Sequence, residues 1–164
     1  MKGVRCKVKS ITSLREILNR LRKKKKRIVF TNGCFDLLHL GHIRYLEKAK
    51  QEGDVLVVGL NSDSSVRKLK GKGRPLVPEK ERAEILSALE FVDYVTIFSE
   101  ETPANLIHEI KPDVLVKGGD YSLNEIVGRD YVHSYGGKVV TVNLVKGKST
   151  SNLIKKIQCL NVSP

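Results

Sequence analysis

The sequence predicts a doubly wound, Rossmann-like α/β domain with a parallel sheet of about five strands flanked by helices. Three observations support this fold class. Short apolar runs alternate with stretches of helical periodicity, without internal repeats or low-complexity linkers. The run Val55–Leu60 is almost continuously apolar, which is typical of a strand buried on both faces of a parallel sheet. The first apolar run leads into a helix through a turn at Gly33, as in many phosphate sites of α/β proteins.

The first predicted element is an amphipathic helix that ends at about Lys26. Ser13–Glu16 has the pattern of a capping box, in which a serine and a glutamate satisfy free amide groups at the helix start. Apolar residues at helical spacing follow it: Leu14, Ile17, Leu18 and Leu21.

The remaining elements alternate in type. Strands are predicted at Ile28–Thr31, Val55–Leu60, Tyr94–Phe98, Asp113–Lys117 and Lys138–Val142. Helices are predicted at Gly41–Gln51, Asn61–Leu69, Glu79–Phe91, Thr102–Ile110, Asn124–Tyr135 and Ser149–Gln158. Pro103 suits the first turn of its helix, whereas Gly128 weakens the helix predicted around it.

The net charge of +12 is concentrated at the N-terminus. Residues 1–27 hold 12 Lys and Arg against the single Glu16, which leaves 18 Lys and Arg against 17 Asp and Glu in the rest of the chain. We therefore divide the chain into a basic N-terminal arm with its helix, residues 1–27, and a nearly neutral domain, residues 28–164. A basic groove for nucleic acid is not supported. The run Lys23–Arg27 fits a solvated helix end, and an anionic partner is the alternative.

Composition excludes several other classes. No apolar run approaches the roughly 20 residues of a membrane span, and residues 1–10 lack the apolar segment of a signal peptide. We expect a cytoplasmic protein. Cys6, Cys34 and Cys159 lack metal-ligand spacing, so reduced thiols are expected and no directly ligated metal is predicted.

The most informative segment is Ile28–His42, in which a buried strand breaks at a glycine and two histidines stand three residues apart at a helix start. An α-phosphate under attack gathers negative charge, and each fixed hydrogen-bond donor that is lost can cost about 3 kcal/mol of transition-state stabilisation. Histidine suits this role because it donates without a permanent charge. Gly41, between His39 and His42, would let a phosphate approach the backbone.

Polar and glycine residues also follow the other strands, at the sheet edge where α/β proteins bind ligands. The residues that follow strands one, two, four and five include Phe35, Asp36, Asn61, Asp63, Lys117, Gly118, Gly119, Asp120, Ser149, Thr150 and Ser151. The loop from Lys70 to Arg74 is predicted to be a lid that carries cations toward an anion. Together these residues favour phosphoryl or nucleotidyl transfer by positioning and electrostatics.

Other roles remain open for some of these residues. The histidine pair could ligate a metal, although no third His or Cys stands nearby. Cys34 could be a nucleophile, but without a clear base a turn-filling role is favoured. His108 and His133 fall in predicted helices, where structural or solvated roles are expected.

At these motifs the sequence resembles the cytidylyltransferase-like nucleotidyltransferase superfamily. His39–His42 matches its HxGH signature, and Thr31–Asp36, which contains Asn32, matches the turn that precedes it. Lys146–Ser151 is similar to the second signature, with Ser151 in place of threonine. The runs Lys70–Pro75 and Val116–Tyr121 resemble the adenylyltransferase branch that acts on heptose 1-phosphate.

The resemblance implies an enzyme that joins ATP and D-glycero-β-D-manno-heptose 1-phosphate to give ADP-heptose and pyrophosphate, with Mg²⁺ accompanying ATP. It further implies a stand-alone transferase that depends on a separate heptose 7-phosphate kinase, and a homodimer. The rival substrates are CTP with glycerol 3-phosphate or phosphoethanolamine, or ATP with phosphopantetheine. A rival of another class is a catalytically silent module that binds an anion or nucleic acid.

The resemblance also implies roles for individual residues. His39, His42 and Lys70 are the expected catalytic residues, with His42 nearest the reacting α-phosphate. Asn61 and Asp63 are expected to bind the second substrate. Nucleotide and phosphate binding is expected from Asn32, Gly33, Cys34, Phe35, Asp36, Gly41, Arg74, Arg82, Lys117, Gly118, Gly119, Asp120, Ser149, Thr150 and Ser151.

Overall fold

The computed structural model describes residues 4–119, 125–143, 145 and 147–160. Five strands form one parallel sheet in the order β3-β2-β1-β4-β5, which confirms the doubly wound, Rossmann-like α/β fold. The strands are β1 (Ile28–Gly33), β2 (Val55–Asn61), β3 (Tyr94–Phe98), β4 (Val114–Gly118) and β5 (Lys138–Val142). The helices are α1 (Ile11–Lys23), α2 (Leu40–Gln51), α3 (Asp63–Lys70), α4 (Glu79–Ser87), α5 (Ala104–Ile110), α6 (Arg129–Ser134) and α7 (Thr150–Leu160).

Helices cover both faces of the sheet, because successive residues of each buried strand point to opposite sides. Val29 belongs to an apolar cluster that includes Leu46 of α2 and Leu86 of α4. Phe30, the next residue, belongs to a second cluster that includes Leu14 of α1 and Ile107 of α5. The almost continuous apolar runs of the sequence are thus explained by burial on two faces.

The first helix begins at Ile11, and the predicted capping box at Ser13 is wrong. Ser10 is the capping residue, with an extended backbone and an Oγ atom that accepts from the amide of Ser13 at 3.3 Å. Just before it, Val8 forms a parallel bridge with Val95, the second residue of β3. The chain therefore changes from extended to helical at Ser10.

The third helix begins at Asp63, because Asn61, its predicted first residue, is the last residue of β2. Two further helices differ from prediction by four residues or more at one end. The fourth helix ends at Ser87 rather than Phe91. The sixth begins at Arg129, because Gly128 at its N-cap has a φ of 88°, which is outside the helical region. The predicted start of that helix at Asn124 lies outside the described residues. Within the described part of the chain, no helix is both long and apolar enough to cross a bilayer.

The two halves of the sheet meet at β1 and β4. β1 pairs with β2 through six residue pairs, but with β4 only through Val29–Val114 and Phe30–Leu115. The chain order reverses between these two strands, so this is the topological switch point of the sheet. A crevice is expected beyond the carboxyl ends of strands at such a point.

Candidate active site

A cleft of about 500 Å³ opens beyond the carboxyl ends of the strands, around the switch point. Most of the residues that the sequence singles out lie on its wall. These are Asn32, Gly33, Cys34, Phe35, Asp36, His39, Gly41, His42, Asn61, Lys70, Arg74, Lys117, Gly118, Ser149, Thr150 and Ser151. Arg82, Asp63 and Gly119 are not on the wall, and Asp120 lies outside the described residues.

The two histidines stand at the start of α2 with their rings stacked. His39 occupies the N-cap position, and its ring centroid is 3.8 Å from that of His42. Both Nδ1 atoms are buried and lack a hydrogen-bond partner among the described residues. Both residues line the cleft, so the stacked pair is available to a ligand there.

Both rings are held in the neutral form. Burial lowers the pKa of His42 to about 4, with a further contribution from His39, while a backbone hydrogen bond with Leu37 acts in the opposite direction. Burial, followed by the charge of Lys148, also lowers the pKa of His39. A neutral imidazole carries one N–H donor and one acceptor nitrogen. The pair therefore presents hydrogen-bonding groups, not charges, at neutral pH.

Gly41 leaves room for the ring of His39. This differs from the role expected from the sequence, which was to let a phosphate approach the backbone. A Cβ atom at this position would lie 2.9 Å from both Cε1 and Nδ1 of His39, and 3.3 Å from Cβ of Lys148. Any larger residue would displace the His39 ring. The role of Gly41 in phosphate binding itself stays a prediction.

The start of α7 forms the facing wall. Ser149 precedes the first helical residue, and its Oγ accepts from the amide of Asn152 at 3.1 Å. Thr150 donates through Oγ1 to the carbonyl of Leu37 at 3.2 Å, which ties α7 to the segment before the histidines. An eleven-residue helix whose start opens on a cleft offers partial positive charge and free amide groups to an anion.

Lys117 spans the switch point from the end of β4 to the end of β1, where its ammonium group donates to Oδ1 of Asn32. Burial lowers the pKa of Lys117 to about 8. No carboxylate among the described residues pairs with it, so the positive charge of this buried ammonium group has no counter-charge. An anionic ligand in the cleft would provide that compensation.

Asp36 anchors the loop between α3 and α4. Its carboxylate accepts from Nε of Arg74 at 2.6 Å and from the amides of Leu76 and Val77 at 2.8 and 2.9 Å. Burial acts to raise the pKa of Asp36, but the hydrogen bonds to Val77, Leu76 and Arg74 outweigh it and the pKa is lowered. Arg74 therefore lies on the cleft wall with its charge already paired, whereas Lys70 is exposed.

Arg82 does not reach the cleft. Its guanidinium is fully buried and donates to the carbonyls of Val77, Cys34 and Asn61 at 2.8, 2.5 and 2.9 Å, and to Oδ1 of Asp63 at 2.7 Å. These contacts give Arg82 a structural role, and its phosphate-binding role stays a prediction. Asp63, an expected substrate ligand, is paired in the same network.

Cys34 contributes its backbone to that network rather than a reactive sulfur. Burial raises the pKa of its thiol, against the opposing charges of Lys70, Arg82 and Arg74. The thiolate is the nucleophilic form, so this environment disfavours a nucleophilic cysteine. Among the described residues, no three His, Cys, Asp or Glu side chains cluster as metal ligands.

Three residues of the cleft wall were missed by the sequence analysis, Tyr45, Leu69 and Glu101, and Lys148 was included only as part of the second signature. Tyr45 shares a helix face with Gly41 and His42, and its hydroxyl donates to the carbonyl of Val116 at 3.1 Å. Glu101 follows β3, so the same search beyond strand ends would have found it. Lys148 stands directly before the hydroxyl residues of α7.

The family model described as cytidylyltransferase-like matches residues 30–163. The chain belongs to the cytidylyltransferase-like family. It is 59% identical over 151 residues to the bifunctional protein HldE of Geobacter metallireducens, which covers 92% of the chain. It is 57% identical over 152 residues to HldE of Campylobacter concisus, covering 93% of the chain. The chain spans 31% of the length of each relative.

Two solved structures are similar to the chain. A lipopolysaccharide core biosynthesis protein from Thermoplasma volcanium is 32% identical, with a TM-score of 0.62, and covers 75% of the chain and 99% of its own. Pantoate-beta-alanine ligase from Francisella tularensis is 18% identical, with a TM-score of 0.62 over 93% of the chain and 78% of its own. The second likeness concerns the fold alone.

Proposed function

We propose that this cytidylyltransferase-like chain is a nucleotidyltransferase that joins ATP and D-glycero-β-D-manno-heptose 1-phosphate to give ADP-heptose and pyrophosphate. The observation that carries the proposal is the pair of stacked histidines on the cleft wall, which lowered pKa values keep neutral. The choice of substrates is supported by the similarity to HldE proteins and to a lipopolysaccharide core biosynthesis protein.

The reaction is an in-line displacement at the α-phosphorus of ATP. An oxygen of the sugar phosphate forms a bond to that phosphorus, the bond to the bridging oxygen breaks, and pyrophosphate leaves with its electron pair. A phosphate oxygen is already anionic, so the attack needs no general base. The protein's contribution is positioning and stabilisation of the developing charge.

His42 and His39 are placed to donate to the α-phosphate as its equatorial oxygens gain charge. The lowered pKa of His42, about 4, keeps the ring neutral when the ligand is absent. A donor fixed in a partly buried site requires no reorganisation during the reaction, which is why it favours the transition state.

Departing pyrophosphate requires cations and helix amides. Lys117 lies on the cleft floor, Lys70 at its edge, and Ser149 and Thr150 at the start of α7. We assign these residues to the triphosphate. Asn61 lies on the wall near the end of β2, where we place the sugar phosphate.

Mg²⁺ is the ion we expect to accompany ATP, and it would neutralise charge on the triphosphate. The donors present fit an ion carried by its substrate. Asp36 is fully engaged by three hydrogen bonds, so Glu101 is the unpaired carboxylate on the described cleft wall. Mg²⁺ usually keeps several waters and binds substrate phosphates with one or two carboxylates, as this wall provides. The separate kinase, the homodimer and the cytoplasmic location stay predictions.

Pyrophosphate release, measured with each nucleotide against a panel of sugar and polyol phosphates, tests the proposal. We expect turnover with ATP and heptose 1-phosphate. Turnover with CTP and none with ATP would contradict the heptose assignment and favour the cytidylyltransferase alternative. Absence of turnover with every pair, together with strongly salt-dependent binding of polynucleotide, would favour the non-catalytic module.

His42→Ala tests the role of the imidazole pair. We expect kcat to fall by a factor of 100 to 1,000, roughly the cost of one lost oxyanion donor, without loss of the fold by circular dichroism. His133→Ala is the matched control because His133 is exposed and away from the cleft wall. Near-normal turnover of the His42 variant would exclude the proposed mechanism.

A further inference from the structure

A second cleft, of about 540 Å³, lies at the amino ends of the strands. Its walls come from the α1–β1 connection, the residue before β4 and the α6–β5 connection, including Arg27, Asp113 and Gly137. Because all five strands are parallel, this is the opposite end of the sheet from the candidate active site. Nothing in the proposed reaction uses it.

The charge of this cleft is strongly one-sided. Five cationic residues line it: Arg22, Lys25, Lys26, Arg27 and Lys138. The single acidic residue on the wall is Asp113, whose Oδ2 atom accepts from the amide of Ile28 at 2.7 Å. The last three residues of the basic run, Lys25–Arg27, therefore lie on the wall of a concavity.

Two of these cations are uncommitted. Lys26 pairs with Asp54 at 3.1 Å, and Lys138 lies 3.6 Å from Glu52. The side chains of Lys25 and Arg27 make no hydrogen bond or ion pair within the described part of the chain. Two cations without a counter-ion on the wall of one cleft raise the local potential for an anion.

Lys25 also occupies a position that favours glycine. The amide of Lys26 bonds to the carbonyl of Leu21 at 3.1 Å and that of Lys25 to Arg22 at 2.8 Å, which is the Schellman pattern of helix ends. The residue at this point in the pattern adopts a left-handed backbone, and Lys25 has a φ of 55°. Glycine is the usual residue there because it has no Cβ strain. The chain thus retains a lysine, at a cost in stability, on the wall of a basic cleft.

We propose that this cleft binds a small, multiply charged anion that carries phosphate groups. The bounded cavity and the near-neutral charge of the rest of the domain favour a small ligand over a polynucleotide, which needs a continuous basic track. Tyr135 adds a fixed aromatic wall, because its hydroxyl donates to the carbonyl of Pro112 at 2.8 Å.

The test uses inorganic tripolyphosphate as the probe and ¹H–¹⁵N NMR as the readout. The two clefts lie at opposite ends of the sheet, so amide shifts near Lys25 and Gly137 report on this site, whereas shifts near His42 report on the candidate active site. We expect saturable shifts at both sites in the wild-type chain at low salt.

Lys25→Gly is the most informative variant, because it should stabilise the fold and weaken anion binding at the same time. We expect it to raise the melting temperature by about 2 °C through relief of the left-handed strain. We also expect it to weaken tripolyphosphate binding at this cleft about fivefold, the effect of one charge pair at about 4 Å in water. Arg27→Gln should weaken it similarly, and Lys80→Gln, at an exposed position of α4, should leave it unchanged.

Shifts near Lys25 that persist unchanged in both cleft variants would overturn the proposal. So would tighter binding of a single-stranded oligonucleotide than of tripolyphosphate at equal salt, since that result would assign the surface to nucleic acid. Pyrophosphate release should be unaltered in these variants. Absence of transferase activity would therefore not change the expected binding of tripolyphosphate at this cleft. Absence of that binding would likewise not change the expected transferase activity.

Discussion

Arg82 provides the sharpest test of the structure, because its buried guanidinium bonds to four acceptors from separate segments. They are the loop before α4, the turn after β1, the end of β2 and the start of α3. We expect Arg82→Met to destabilise the protein and, as a consequence, to loosen the cleft wall around Cys34 and Asn61. The side chain volume is similar, so the loss is chiefly of hydrogen bonds and charge.

The magnitude follows from the groups left behind. Removing one partner of a buried ion pair costs about 3–5 kcal/mol. Asp63 is 27% exposed and regains some hydration, but the carbonyls of Cys34 and Asn61 lose a buried donor. We expect a loss of about 4 kcal/mol in the free energy of unfolding. Arg82→Lys keeps the charge but has three donors for four acceptors, and about 2 kcal/mol is expected.

Urea unfolding followed by far-UV circular dichroism measures the effect, since the chain contains no tryptophan. With a slope of about 2 kcal/mol/M, the midpoint of Arg82→Met should fall by about 2 M. Adding Asp63→Asn should recover part of the loss, because the unpaired carboxylate is removed. An unchanged midpoint combined with lost pyrophosphate release would refute this reasoning and return Arg82 to the role of phosphate ligand.

Three further predictions concern the cleft. The affinity for ATP, measured by calorimetry, should fall as the pH rises above about 8, where Lys117 loses its proton, and Lys117→Met should remove that dependence. The lowered pKa of His42, about 4 against 6.5 when unfolded, means that the unfolded chain binds more protons between these values. Stability is therefore full above pH 6.5 and falls by up to about 3 kcal/mol toward pH 4. His42→Asn should remove this component from urea titrations at the two pH values, and an unaltered pH dependence would contradict the burial of that ring. Gly41→Ala should lower kcat about tenfold by displacing His39 while leaving the melting temperature equal or higher, since alanine favours a helix; a loss of stability instead would refute the steric explanation.

The fold was predictable because its pattern is local. Val55–Asn61 is buried along its whole length, and that burial is visible as an apolar run. The start of α1 was predicted wrongly because Ser10 and Ser13 are both plausible caps. The choice between them depends on Val8 pairing with Val95, a contact across 87 residues that no local pattern reveals.

The candidate site was predictable where residues follow strands. In a parallel sheet the carboxyl ends of all strands meet at one edge, so His42, Lys117 and Thr150 converge although they are distant in the chain. The contacts of Arg82 could not be predicted, because a basic residue near glycine loops resembles a free cation in sequence. Only its burial, at 1% exposure, shows that its donors are committed.

The short pairing of β1 with β4 has a mechanical consequence. Two residue pairs join the half-sheet β3-β2-β1 to the half-sheet β4-β5, so the seam is the weakest line across the sheet. Beyond it, the hydroxyl of Tyr45 hydrogen-bonds to both Thr31 and Val116, and Lys117 donates to Asn32. A nucleotide at this crevice would act as a clasp that holds the two half-sheets together. Its binding should therefore appear as slower hydrogen exchange along β1 and β4, before any change in the outer strands.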